Sequence, residues 1–143
     1  MKVFTVVESE ESFSDPLSTR VVGSYQFSPM AVSALIGHVV KRSQEDATFS
    51  NALWNDENRG DELREHLCRN VPLFPEDIKS YFCRDDEKKT FPQEVIWALR
   101  KFIFNNVEGE NSYHVFSGLG ASEHTIHLDI IKNELNGVSD YEV

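Results

Sequence analysis

Cysteine is scarce in this chain: Cys68 and Cys83 are the only two in 143 residues, and they form no CxxC pair. Two well-separated cysteines supply neither a zinc framework nor the disulfide scaffold of a small secreted domain. With no secretion signal they read as reduced, buried, structural side chains. The start, MKVFTVVESEES, has a short apolar run that meets acids within eight residues, so no signal-peptide core develops. No stretch of about 18 uncharged apolar residues is present, which excludes a transmembrane helix. The expected compartment is the cytoplasm.

Catalytic signatures are also missing. GxSxG, GxxxxGKS/T, GxGxxG and HExxH do not occur. Their absence removes the nucleophile elbow, the phosphate loop, the dinucleotide fingerprint and the helical zinc motif. FSGLGAS (residues 116–122) has two glycines but no lysine, and it leads into a strand rather than a helix. His66 and Cys68 are two apart on a helical pattern and point away from each other, so they make no nucleophile–base pair. No cofactor motif is found and no cofactor is expected.

Positive charge is the third shortage. Fourteen Lys and Arg stand against 24 Asp and Glu, giving a net charge of −10 and a pI near 4.9. Residues 101–143 hold seven acids and only two bases. Such a surface repels nucleic acid and anionic membranes and speeds encounter with basic partners. The plainer reading of the charge is solubility.

What is present is a core. Hydrophobic residues make up 40% of the chain and include ten Phe, enough for one domain spanning 1–143, with a polar tail frayed from about 136. Residues 2–7 (KVFTVV) and 19–27 (TRVVGSYQF) read as strands, the second broken by Gly23 at a possible bulge. ESEESFSDPLS between them reads as a loop. In residues 28–45, Ser28 is the expected N-cap and Pro29 the first helical residue. Val32, Leu35, Ile36, Val39 and Val40 there form one apolar stripe. Gly37 inside this helix suggests close packing, and His38 beside the stripe reads as a satisfied core-edge side chain. DATFSNALW is mixed, NDENRGD is a turn, and Asp61 is expected to cap a short helix carrying Leu63, His66 and Leu67. Pro75 opens another short helix. Residues 92–106 form the second strong helix, its buried stripe being Val95, Ile96, Leu99, Phe102 and Ile103. Trp97 and Phe104 project from another side and are expected to be buried. SYHVFSG and EHTIHLDII are two strands joined by a turn. The order predicts a single-domain α+β fold, an antiparallel sheet of about four strands with helices packed on one face.

The hairpin carries the most chemistry. On its second strand His124, Ile126, Leu128 and Ile130 share the core face, and Thr125, His127 and Asp129 share the open one. If Ser117 opposes Ser122, His114 joins His127 and Asp129 there; a slip of one residue sends it to the core side beside His124. That trio is the candidate site for a small metal-dependent or acid–base hydrolase, with His127 as base or ligand and Asp129 orienting it. Closed metal spacing and a second shell are not visible in the pattern.

The leading expectation is binding rather than catalysis: a small acidic inhibitor covering a basic partner, such as a nuclease toxin met by an immunity protein or an enzyme blocked by a phage anti-defence protein. Carboxylates imitate phosphates and take Arg in bidentate pairs. The expected face joins Glu108, Glu110, Glu123 and Asp129 of the hairpin to Asp56, Glu57, Asp61 and Glu62 of the central loop. Trp54 beside that loop is either an aromatic anchor for the partner or a core side chain.

Overall fold

The computed structural model describes residues 2–12, 18–107, 111–117 and 124–134. The first and last described strands are the two central ones. β1 (Lys2–Ser12) pairs along its whole length with β4 (His124–Glu134), from Lys2 opposite Glu134 to Ser12 opposite His124. β2 (Ser18–Tyr25) flanks β1 and β3 (Ser112–Ser117) flanks β4, so the sheet order is β2-β1-β4-β3, antiparallel throughout. Five helices fill the chain between β2 and β3, giving the expected α+β architecture.

β1 is longer than its apolar run suggests. Residues 8–12 read as loop because they are polar, with three glutamates, and Pro16 follows, yet they continue the strand, and Glu8 is buried. Side chains alternate along β1, so Val6 and Glu8 share the face turned toward the helices. There Glu8 meets Arg20 of β2 together with His38 and Arg42 from the first helix. The bulge expected at Gly23 is present. Val6 opposes Gly23 while Val7 opposes Val21, leaving Val22 as the extra residue.

α1 (Ser28–Glu45) starts one residue earlier than expected, with Phe27 at the cap position and no side-chain cap bond, so Ser28 does not cap it. Its stripe is buried as the spacing requires, Leu35, Ile36, Val39 and Val40 leading. Gly37 is not a close-packing position. A Cβ built there meets only the Arg100 guanidinium, at 3.8 Å. Asp46 then does what the sequence did not announce. Ending α1, it accepts bonds from the Thr48 and Phe49 amides at 2.9 and 3.2 Å and so caps a further helix, α2 (Ala47–Trp54). α2 contains Thr, Phe, Ser and Asn, poor helix formers in isolation. Burial of Phe49, Ala52 and Leu53 and a 2.7 Å bond from Ser50 Oγ to the Phe82 carbonyl hold it.

α3 (Gly60–Asn70) carries Leu63 and Leu67 inward, as expected. Its entry turn is built by Asp56 instead of Asp61: Asp56 Oδ1 accepts from the Asn58 amide at 2.8 Å, and the Gly60 amide bonds the Asp56 carbonyl at 2.8 Å. Asp61 lies inside the first turn, paired with Arg64. α4 (Pro75–Phe82) begins at its proline and α5 (Gln93–Val107) buries Val95, Leu99, Phe102 and Ile103. One core joins these helices to Val6, Tyr113, Val115, Ile126 and Leu128, which all lie on the same face of the sheet. Both cysteines are free, and Cys68 is exposed rather than buried as expected.

Candidate functional site: the hairpin face and the acidic entry to α3

β3 and β4 pair two residues further along than expected. Ser117 opposes His124, and His114 opposes His127. An even shift preserves the face, because side chains repeat every second residue. His114, Thr125, His127 and Asp129 therefore do share the open face of the sheet. The two imidazoles meet edge to face with centroids 4.5 Å apart. Asp129 Oδ1 lies 3.8 Å from His114 Nε2, and Glu11 Oε1 lies 3.8 Å from His127 Nε2. Among the described residues neither histidine has a carboxylate at the 2.6–3.2 Å that would orient it for proton transfer. Among the described residues no three His, Cys, Asp or Glu side chains converge to hold a metal ion. This face is a partly exposed group of side chains with no close ion pair among the described residues.

The acidic loop divides. Trp54 is 6% exposed and stacks on Phe82 at 5.3 Å, so it belongs to the core and offers no anchor to a partner. Asp56 is 4% exposed and spends Oδ1 on the turn before α3, which removes it from the expected contact face as well. Of the two alternatives for Trp54, the structure shows the core one, while the outward expectation for Asp56 is corrected because its carboxylate builds the turn. Glu57, Asp61 and Glu62 are exposed as expected. Glu65, one turn on, joins them. Glu108, Glu110 and Glu123 lie outside the described residues.

Loop and hairpin are tied together by Arg59. Its guanidinium donates to the His114 carbonyl at 2.9 Å and lies over the Tyr113 ring at 4.8 Å. Burial pushes the Tyr113 hydroxyl well above its usual range; Asp56 adds to the shift and Arg59 opposes it. Tyr113 thus serves as a neutral, buried floor under the arginine. This tether is invisible in the sequence, since residues 59 and 114 are far apart and only the β3 edge position joins them.

Two further features escaped the sequence. The Glu8 carboxylate is 2% exposed, accepting from Arg20 Nη2 and His38 Nε2, both at 2.7 Å, with Arg42 Nε at 3.4 Å. Burial alone would raise its pKa, but the bonds from His38 and Arg20 and the Arg42 charge outweigh it and bring the value from 4.5 to about 2. His38 is the satisfied core-edge histidine its position suggested. The second feature reverses an expectation: Trp97 and Phe104 are 64% and 45% exposed, on the outer side of α5. A helix that packs on α1 and α3 needs only one buried stripe, and these two residues lie off it.

No protein-family model, no curated protein and no solved structure matches the chain. The geometry alone carries the functional reading. Among the described residues no helix is long and apolar enough to cross a membrane.

Proposed function

We propose that the protein is a cytoplasmic binding protein that neutralises a basic protein partner, such as a nuclease toxin or another nucleic-acid-handling enzyme, by covering its cationic surface. The observation that carries this reading is the set of exposed carboxylates at the start of α3. Glu57, Asp61, Glu62 and Glu65 project within nine residues on a chain of net charge −10. Their support is rigid, because the Asp56 turn fixes the backbone from below and Arg59 fastens the loop to β3. Acids also suit the positive end of a helix, so this charge accumulates there at little cost to folding. Asp61 and Glu65 pair with Arg64 and Arg69 on the surface. Exposed pairs of this kind are worth about 0–1 kcal/mol, so an incoming arginine exchanges for them readily. Steering by the net charge then favours rapid capture of a basic active site.

The test is capture by the immobilised protein from host lysate, first at low and then at moderate ionic strength. One basic protein should be retained and released as salt rises, and the purified protein should inhibit that partner's activity. The triple variant Glu57→Gln, Asp61→Asn, Glu62→Gln should keep its melting temperature and lose the capture. A partner retained equally by the variant, or left fully active in the complex, refutes the reading.

A further inference from the structure

The outward face of α5 is unlike the rest of the surface. Glu94, Trp97, Lys101 and Phe104 fall three, seven and ten residues along from the first, which places them on one stripe, and all four are exposed. Exposed helix positions are ordinarily polar, whereas this stripe carries a Trp and a Phe. Clefts flank it on both sides. Between α1 and α5 runs an open cleft of about 670 Å³, with Pro29, Val32, Ile36 and Phe104 as its apolar wall and Arg100 and Lys101 as its cations. On the other side Trp97 and Lys101 border a smaller cleft, about 220 Å³, against His66 and Asn70 of α3. At the mouth of the larger cleft Phe27 and Met30 stand exposed beside Ser28 and Pro29. Trp, Phe, Met and Arg are the side chains enriched where proteins meet.

Charge decides what fits. Among the described residues the larger cleft is lined by two cations and no carboxylate, on a chain that is otherwise strongly acidic. Among the described residues no acid lies within ion-pair distance of Arg100 or Lys101. Two cations with no ion-pair partner among the described residues, beside exposed aromatics, are complementary to a segment that offers apolar anchors flanked by Asp or Glu. The stripe from Glu94 to Phe104 spans about 15 Å at 1.5 Å per residue, close to three turns of a docking helix.

We infer that the outer stripe of α5, together with the α1/α5 cleft beside it, is a docking surface for an amphipathic, acidic helical segment of another protein, anchored on Trp97 of the stripe and Phe104 of the cleft and held at its acids by Arg100 and Lys101. The mode is helix-in-groove recognition, read through anchors at i, i+3 or i+4 and i+7. This surface has the opposite charge preference to the entry of α3. The protein so gains a second partner class, and the inference stands without the first reading.

A displayed library of random 16-residue peptides, selected on the full chain, tests it. Enriched peptides should combine helically spaced apolar residues with an excess of Asp and Glu. Binding should shift the emission of Trp97, which is exposed on the stripe, and that signal should vanish in Trp97→Phe, since Trp54 is buried in the core. Trp97→Ala and Lys101→Glu, both at exposed positions, should each weaken binding by about tenfold or more with the melting temperature unchanged. Selected peptides that are basic or neutral, peptides that bind both variants equally, or a selection yielding no binder would overturn the inference. Concentration-dependent dimerisation that Trp97→Ala dissolves would overturn it too, by making a second copy of the chain the occupant.

Discussion

Glu8 is the residue whose replacement tests the physical account most directly. Its carboxylate is shut off from water and surrounded by Arg20, His38 and Arg42. Depression of its pKa from 4.5 to about 2 corresponds to roughly 3 kcal/mol of folded-state stability at neutral pH, at 1.36 kcal/mol per unit. The sign follows from the direction of the shift. A carboxyl more acidic in the folded chain contributes fully above its unfolded value near 4.5, and the contribution disappears as pH falls through the folded value near 2. Glu8→Gln keeps the shape and removes the charge. Arg42 would not be stranded, because it retains Glu10 at 3.3 Å and Asp46 at 3.2 Å, and Arg20 is half exposed. The loss at pH 7 should therefore sit near 2–3 kcal/mol, below the 3–5 typical of a fully stripped buried charge. Urea, being uncharged, is the denaturant of choice, with unfolding followed by circular dichroism at pH 7, 5 and 3. Titrating groups remote from Glu8 are common to both proteins and cancel in the difference. The gap between wild type and variant should shrink by about 2 kcal/mol from pH 7 to pH 3. A gap that is absent at pH 7, or the same at pH 7 and pH 3, refutes the assignment of Glu8 as a buried, ionised hub.

Three further outcomes are expected. Gly37→Ala should raise stability by up to about 1 kcal/mol, since its new methyl meets only Arg100 at ordinary contact distance, whereas Gly60→Ala should not. At Gly60 a Cβ would press to 3.0 Å from the Trp54 carbonyl, so parallel urea unfolding of the pair should give opposite signs. Iodoacetamide labelling followed by mass spectrometry should modify exposed Cys68 well before Cys83, whose thiol burial pushes up despite the nearby Lys79 charge; equal rates would contradict the placement of α4's C-terminal end. His127→Ala should leave the melting temperature within a few degrees and partner capture intact, because its ring is partly exposed and makes no close bond to Glu11.

The sheet and the long helices were legible because their periodicity is strong. KVFTVV and TIHLDII alternate or run apolar, and Leu35 to Val40 and Val95 to Ile103 repeat at helical spacing, each matching a burial pattern in the fold. The open face of β4 was legible in its alternation, whereas the side His114 takes hung on a register parity that the sequence left open and the pairing of His114 with His127 decides. What periodicity cannot carry is long-range compensation. β1 beyond Val7 and helix α2 look unfavourable locally and exist because distant groups complete them: Arg20, His38 and Arg42 for Glu8, and the Phe82 carbonyl for Ser50.

The same limit governs how charge and aromatic content convert into function. A net charge of −10 says that the surface is acidic without saying where, and two of the acids, Glu8 and Asp56, are buried and work for the fold. A buried carboxylate that builds a turn or closes an arginine cluster cannot also bind a partner. Conversely, ten Phe and two Trp suggest a generous core, yet Trp97 and Phe104 stand outside it beside Arg100 and Lys101. Composition therefore misassigns the very residues that depart from their type. An acid inside needs a cation partner to be tolerated, and its substitution registers as lost stability. An aromatic outside has no such stabilising return within the chain, so its substitution should spare the fold and register, if anywhere, in binding. Paired measurements of stability and binding at Glu8, Glu62 and Trp97 separate these cases, with Glu8 moving the first quantity and Glu62 and Trp97 moving only the second.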